Sequence, residues 1–202
     1  MNRAAFTKAI SKRLYPILRS EGFRGSGNTL RRVNGPVIHV FNVQGSSGGA
    51  SCYLNLGAHL TFLRTPGGRE PDSQQLKEYE CVFRDRFEPP AGSGVGWSYG
   101  DNDEELNETI SFICDHWPIY GHDFFNQFAE YPRQFEALVE DVDETVAHPI
   151  QLATLSQIAS QLGKQTRAEA LALEALSRCP EQATELRDKL NRLIRELGRG
   201  PR

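Results

Sequence analysis

The chain has 202 residues and lacks the features that mark membrane, secreted or disulfide-stapled proteins. No apolar run is as long as a membrane span or a signal-peptide core, because charges interrupt the N-terminus at Arg3, Lys8 and Lys12. No C-x-x-C pair is present, and the cysteines lie far apart at Cys52, Cys81, Cys114 and Cys179. We therefore expect a cytoplasmic protein that does not bind membranes and keeps its thiols reduced and packed as small hydrophobic groups.

Catalytic and metal-binding motifs are also missing. Cys114 and His116, with His122 and Asp123 beyond, come nearest to a metal site, but close pairs of zinc ligands are absent. No G-x-S-x-G motif is present, and the glycine-rich segments 22–27 and 92–96 lack the strand-loop-helix context of a phosphate loop. We predict no catalytic residue, no metal and no cofactor.

The composition is that of an ordinary globular protein. Hydrophobic residues make up 39% and charged residues 24% of the chain, and no low-complexity block is present. This composition excludes a chain that is disordered throughout. The length suits one medium domain, or a domain of about 140 residues with an appendage.

Charge is distributed unevenly although the net charge is only -3. Residues 1–40 carry eight Arg or Lys and one Glu, whereas residues 101–148 carry thirteen Asp or Glu and one Arg. Two interpretations stay open. Either the basic part lies near the acidic helices and the two fields partly cancel, or the acidic stretch is a surface for a basic partner.

Hydrophobic spacing predicts a helix over residues 3–19, which Pro16 either kinks or restarts. Four strands follow at 28–33, 37–44, 51–60 and 80–87, and the pair Asn34-Gly35 marks a hairpin turn. Residues 51–60 alternate between apolar and mostly polar, which indicates a sheet packed on one face. A helical stripe begins near Asp103, and we expect Pro118 to break it and a second helix, with Tyr120 facing the same core, to follow.

Beyond residue 148 the pattern predicts three further helices, over 150–162, 166–179 and 181–197. The expected fold class is therefore α+β. A four-stranded, mostly antiparallel sheet carries helices on one face, and a three-helix C-terminal segment follows. We expect an α+β domain at 1–140, and a helical hairpin with a terminal helix at 149–198.

Residues 2–140 resemble a bacterial family known as domain of unknown function number 4304. The resemblance rests on the order and spacing of several short strings, which are Gly22-Phe23-Arg24, Val40-Phe41-Asn42-Val43-Gln44, Tyr53-Leu54-Asn55-Leu56-Gly57, Glu80-Cys81-Val82-Phe83-Arg84 and Phe124-Phe125-Asn126-Gln127-Phe128. It implies a small bacterial α+β protein and carries no activity with it.

A shorter resemblance covers residues 150–180, whose spacing is similar to one tetratricopeptide repeat. Its small or apolar positions are Leu155, Leu162, Gly163, Ala168, Ala172, Ala175 and Pro180, and Ser156 departs from the usual small Ala. One repeat cannot form a solenoid, so the resemblance implies a helical hairpin capped by the last helix. We expect this hairpin to dock either on the main domain or on a second subunit. Association of two copies through the C-terminal helices therefore stays open.

The predicted sheet has one face that mixes amide, aromatic and cationic groups. The residues expected there are Asn42, Gln44, Tyr53, Asn55, His59, Arg84 and Arg86. Such groups suit hydrogen bonding to a ligand, a polypeptide or an RNA. The alternative is a face that is merely solvated or covered by a loop.

Three functions follow from these patterns. The first is a protein-binding module, either a toxin-neutralising protein or an adaptor, that binds a basic partner through acids including Glu104, Glu105 and Glu108. The second is a nucleic-acid binder that uses the arginines of the sheet face, although a pI near 6.0 makes this partner less expected. The third is an enzyme whose site is assembled from separated residues such as Tyr53, His59 and Arg84.

Overall fold

The computed structural model describes residues 1–198, which form two compact units. The first unit is Met1–Ala129, and the second begins at Glu130. The first holds the whole sheet and two helices, and the second holds helices alone, so the predicted α+β class is confirmed. Within residues 1–198, none of the helices combines the length and the apolar character that crossing a bilayer requires.

The sheet of the first unit is antiparallel throughout. Its strands are β1 (Arg24–Ser26), β2 (Thr29–Asn34), β3 (Val37–Gly45), β4 (Ser51–Leu60), β5 (Phe83–Phe87) and β6 (Trp97–Ser98). Strands β1 to β5 pair in chain order, and β6 pairs with the beginning of β4. Four of these strands match the predicted ones. The other two, β1 and β6, are too short to show an alternating pattern.

Two long helices cover one face of this sheet. These are α1 (Arg3–Ser20) and α2 (Asp103–Asn126). Their apolar stripes contact the strand residues that point toward them, and the indole of Trp117 packs edge-on against the ring of Phe41 at 5.5 Å. The core contains the side chains of Phe6, Ile10, Leu14, Leu18, Leu30, Phe41, Leu56, Ile110, Ile113 and Trp117, all of them buried.

Proline interrupts neither helix. Helix α1 continues through Pro16 and α2 continues through Pro118, so the predicted break at Pro118 is wrong. Proline removes one backbone N–H bond from a helix, and the cost is smallest where water can satisfy the freed carbonyl. Both prolines lie on the exposed side of their helices, while the opposite side is held by the core.

A loop covers part of the other face of the sheet. Residues 61–82, here called the cover segment, include a short 3-10 turn at Glu78–Glu80 and pack against β3 and β4. Its residues Leu76 and Cys81 form a buried cluster with Ile38 and Val40 of β3. The cover segment contains no regular apolar periodicity, which is why only its end was predicted as a strand.

The second unit contains four helices. They are α3 (Arg133–Glu140), α4 (Pro149–Gln161), α5 (Gln165–Ser177) and α6 (Thr184–Leu197). The last three confirm the predicted C-terminal helical segment. Helices α4 and α5 approach closely where the buried hydroxyl of Ser156 on α4 donates a 2.7 Å hydrogen bond to the carbonyl oxygen of Ala168 on α5.

Candidate functional site

Strand register brings five of the predicted residues together on the sheet face that lies opposite the helices. Asn42 of β3 lies beside Asn55 of β4, and Asn55 lies beside Arg86 of β5. Gln44 and Tyr53 form the next pair along β3 and β4. Side chains directly opposite each other in an antiparallel pair point to the same face. We call Asn42, Gln44, Tyr53, Asn55 and Arg86 the polar strip.

Asn55 is the centre of the polar strip, and its side chain amide is held on both sides. Its Nδ2 donates hydrogen bonds to Gln44 Oε1 at 3.0 Å and Asn42 Oδ1 at 3.3 Å. Its Oδ1 accepts a hydrogen bond from Arg86 Nε at 3.1 Å. Asn55 is only 2% exposed, so these bonds replace the hydrogen bonds to water that the amide gives up on burial.

Arg86 is held by an aromatic contact as well. Its guanidinium carbon lies 4.4 Å from the centre of the Tyr53 ring, within the range of a cation–π interaction. The Tyr53 ring in turn lies against Gly96, where an added Cβ would be 3.0 Å from Tyr53 Cε1. Gly96 thus leaves room for the ring, and the ring and Asn55 together fix the orientation of the guanidinium.

The other two predicted residues of this face, His59 and Arg84, do not belong to the polar strip. His59 is buried under the cover segment. Its Nδ1 accepts a 3.2 Å hydrogen bond from the N–H of Val82, and its Nε2 donates a 3.1 Å hydrogen bond to the carbonyl oxygen of Leu63. Burial lowers the pKa of His59. Arg84 Nε donates a 2.6 Å hydrogen bond to Glu78 Oε1, so an acid of the cover segment already neutralises this arginine.

The arrangement does not assemble the enzyme site considered from the sequence. Tyr53 and His59 are six residues apart on one strand, a separation of roughly 20 Å at the rise of an extended chain. His59 has no exposed surface with which to meet a substrate. Metal ligands are equally scattered, since no group of three or more His, Cys, Asp or Glu side chains in residues 1–198 is placed to hold an ion.

The arginines of β1, β2 and β5 that could follow a nucleic-acid backbone are mostly engaged in hydrogen bonds within the chain. Arg31 donates from Nε to the carbonyl oxygen of Leu76, and Arg32 from Nε to His39 Nδ1. Arg24 donates to backbone oxygens near its own strand. With Arg84 paired to Glu78, these four guanidinium groups do not form an open track for a phosphate backbone.

Acidic residues dominate the exposed side of α2. Residues 101–129 contain seven Asp or Glu and no Lys or Arg. Glu105 caps its own helix, since its carboxylate accepts hydrogen bonds from the Asp101 N–H and from Asn102 Nδ2. Glu104 and Glu108 are exposed and, among the described residues, no ion pair joins an acid of 101–129 to an Arg or Lys of 1–40.

Apolar and aromatic side chains share that exposed side of α2. The rings of Phe112 and His116 stack with centroids 3.7 Å apart, and Tyr120 stacks on Phe87 at 5.1 Å while remaining 52% exposed. Ile119 is 55% exposed. A shallow depression on this side is lined by Phe112 and His116 together with Glu104, Glu108 and Asp115. The acidic–aromatic face is defined here as Glu104, Glu108, Phe112, Asp115, His116, Ile119 and Tyr120.

Sequence reasoning missed the aromatic members of this face. Tyr120 was expected to face the core, because a helix break at Pro118 would have restarted the periodicity. In the continuous helix, Phe112, His116 and Tyr120 recur every four residues and lie along one side. That spacing was visible in the sequence, and only the break assumed at Pro118 concealed it.

A family model described as domain of unknown function (DUF4304) matches residues 14–127, which is more than half of the chain. The match confirms the resemblance seen in the sequence and includes both the polar strip and the acidic–aromatic face. The tetratricopeptide-like spacing after residue 150 lies outside it and stays a prediction. No curated protein and no solved structure matches the chain.

Proposed function

The chain belongs to the DUF4304 family, and we propose that it is a protein-binding module that captures a basic segment of another protein on its acidic–aromatic face. The observation that carries this proposal is the mixture of groups on one exposed side of α2. Three carboxylates, those of Glu104, Glu108 and Asp115, stand beside the aromatic rings, and the helix carries no Lys or Arg.

Arginine and lysine side chains of a partner match both components of this face. A guanidinium stacks favourably on aromatic rings and forms bidentate hydrogen bonds to carboxylates. The exposed apolar surface of Ile119 and Tyr120 adds area that a partner would remove from water. The field of unpaired carboxylates raises the rate of encounter with a basic surface and disfavours acidic partners.

Two specific forms of this function suit a basic partner. One is neutralisation of a secreted bacterial toxin by covering its basic surface, and the other is an adaptor that holds a basic protein. Both forms use the same face of α2. Association of two copies through the C-terminal helices stays a separate prediction, which the mass of the purified protein in solution decides.

The proposal is tested by co-purification from the native host at moderate salt, with the bound protein identified by mass spectrometry. The test variant is Glu104→Lys/Glu108→Lys, which reverses two charges on the acidic–aromatic face. The matched control is Glu181→Lys/Asp188→Lys, which makes the same charge change at exposed positions of the second unit. Circular dichroism of both variants establishes that they remain folded.

We expect a basic protein to co-elute with the wild type and with the control, and to be lost from the test variant. Equal recovery with both variants would place the binding surface elsewhere. Nucleic acid in the eluate, detected by its absorbance ratio, would favour the second function instead. A bound protein that is not basic and that stays bound at high salt would contradict the electrostatic basis of the proposal.

A further inference from the structure

Arg86 differs from its neighbour Arg84 in one respect that bears on ligand binding. Arg84 is paired with the carboxylate of Glu78. Arg86 has no carboxylate partner among residues 1–198, and its only hydrogen bond from the side chain is the one from Nε to Asn55. Its two terminal nitrogens, Nη1 and Nη2, therefore remain available as donors on an exposed residue.

Hydrogen bonds within the polar strip engage each of its three amide oxygens. The side-chain oxygens of Asn42, Gln44 and Asn55 each accept a bond from another member of the strip. Asn42 Nδ2 is also used, because it donates to Thr29 Oγ1 and to the carbonyl oxygen of Asn28. Within residues 1–198, the side-chain groups of the strip that make no hydrogen bond are Gln44 Nε2, the two terminal nitrogens of Arg86 and the Tyr53 hydroxyl. The nitrogens can only donate, and the hydroxyl can donate or accept.

These remaining donors lie close together. Gln44 and Arg86 both contact the carboxamide of Asn55, one at its nitrogen and the other at its oxygen. Gln44 and Arg86 are both exposed, so their donors are accessible from solvent. The bond from Nε to Asn55 and the Tyr53 ring hold the guanidinium before a ligand arrives, which reduces the entropy that binding would cost.

We propose that the polar strip is a binding site for a ligand carboxylate, which Arg86 holds through Nη1 and Nη2 while Gln44 Nε2 donates a third hydrogen bond. A planar guanidinium matches a carboxylate in a bidentate arrangement. One positive charge with neutral amides balances the single charge of a carboxylate. A phosphate, which carries more than one negative charge at neutral pH, would leave part of its charge uncompensated at this site.

The test uses acetate as the minimal probe in a titration at constant ionic strength, with chloride as the balancing anion. The readout is the NMR signal of the Arg86 Nε–H group, and isothermal calorimetry gives the affinity. We expect a saturable shift of that signal in the wild type. Arg86→Gln should weaken acetate binding by about tenfold or more, because the charge-assisted bonds are removed.

Arg84→Gln is the matched control, since it removes an arginine from the same strand that already has an acid partner. It should leave acetate binding unchanged. Arg86→Lys retains the charge without the planar fork and should bind acetate more weakly than the wild type. Equal loss in the Arg84 and Arg86 variants, or a shift that chloride reproduces, would overturn the proposal.

Inorganic phosphate forms the second arm of the titration. Phosphate that binds more tightly than acetate, with the same dependence on Arg86, would overturn the assignment to a carboxylate. Reversal of Glu104 and Glu108 should not affect acetate binding, because these residues belong to the acidic–aromatic face and not to the polar strip. Failure of this proposal is therefore distinguishable from failure of the protein-binding function.

Discussion

The guanidinium of Arg32 donates to the imidazole of His39, with Arg32 Nε 3.1 Å from His39 Nδ1. His39 Nε2 lies 3.0 Å from the carbonyl oxygen of Phe128, so the ring donates there and accepts from Arg32. This pattern requires a neutral imidazole with its proton on Nε2. Burial, reinforced by the positive charge of Arg32, lowers the pKa of His39 to about 3.

The free energy of unfolding should fall as the pH drops from about 6.5 toward 3 because of His39. The unfolded chain has a His39 pKa near 6.5, whereas the folded pKa is about 3. Between these values the unfolded state binds a proton that the folded state does not. His39 therefore contributes a loss of at most about 1.4 kcal/mol per pH unit, and His59, whose pKa is also lowered, acts in the same direction.

Urea unfolding of the wild type and of His39→Gln at several pH values between 7 and 4 checks this expectation. The variant should be less stable at pH 7, because Arg32 loses a buried partner. Its stability should nevertheless decline less steeply with acid. Parallel curves for the two proteins would show that His39 does not set the slope.

The carboxylate of Glu21 joins the end of α1 to α2, and its removal should lower the free energy of unfolding. It accepts a 3.0 Å hydrogen bond from Nε1 of the buried Trp117 and lies 2.9 Å from His122 Nε2. Glu21→Ala should lower the free energy of unfolding by about 1–3 kcal/mol, because the indole N–H is left without an acceptor. Glu21→Gln keeps an acceptor oxygen and should lose less.

Chemical denaturation of the two Glu21 variants, followed by tryptophan fluorescence, provides the measurement. His122→Ala serves as the control. The Glu21–His122 pair is partly exposed and should contribute at most about 1 kcal/mol to the free energy of unfolding. If Glu21→Ala and His122→Ala cost the same, the bond to Trp117 would not be the source of the stability.

Much of the polar strip was predictable from strand periodicity alone. The alternation from Ser51 to Leu60 placed Tyr53 and Asn55 on one face, because the side-chain period of a strand is two. The hairpin signal at Asn34-Gly35 placed β2 and β3 side by side. Such information is local, since each residue's face follows from the parity of its position once the strand is recognised.

The burial of His59 was not predictable in the same way. Parity placed it correctly on the face of Tyr53, but its burial depends on residues 61–82, which show no regular period. The cover segment is held instead by particular contacts, such as Cys81 against Gly57. The continuity of α2 through Pro118 likewise depends on tertiary packing that overrides the local preference of proline.

Gly57 should be required for the cover segment to pack on the sheet. A Cβ added at residue 57 would lie 2.8 Å from Cys81 Sγ and 3.1 Å from Cys81 Cβ. Gly57→Ala should therefore cost about 1–3 kcal/mol through overpacking. Adding Cys81→Ala, which removes the sulfur, should recover part of this loss.

A double-mutant cycle of Gly57→Ala and Cys81→Ala, measured by urea unfolding, isolates the contact. The combined variant should be more stable than the sum of the single losses predicts, by about 1 kcal/mol or more. Strict additivity would mean that the segment moves aside without cost. Hydrogen exchange at Val82, whose N–H donates to His59, would reveal such a movement.

Ser156 in the second unit tests whether α4 and α5 depend on close approach or on the hydrogen bond between them. Its hydroxyl donates to the carbonyl oxygen of Ala168, which lies within α5. Ser156→Ala keeps the small volume, and the free energy of unfolding should fall by about 1 kcal/mol or less. Ser156→Val adds two methyl groups in place of the hydroxyl in a fully buried position and should cost about 1–3 kcal/mol. Thermal unfolding of the two variants separates these contributions, because both variants lose the hydrogen bond and only Val adds volume. Equal losses for Ala and Val would assign the contact to the hydrogen bond instead of to close packing.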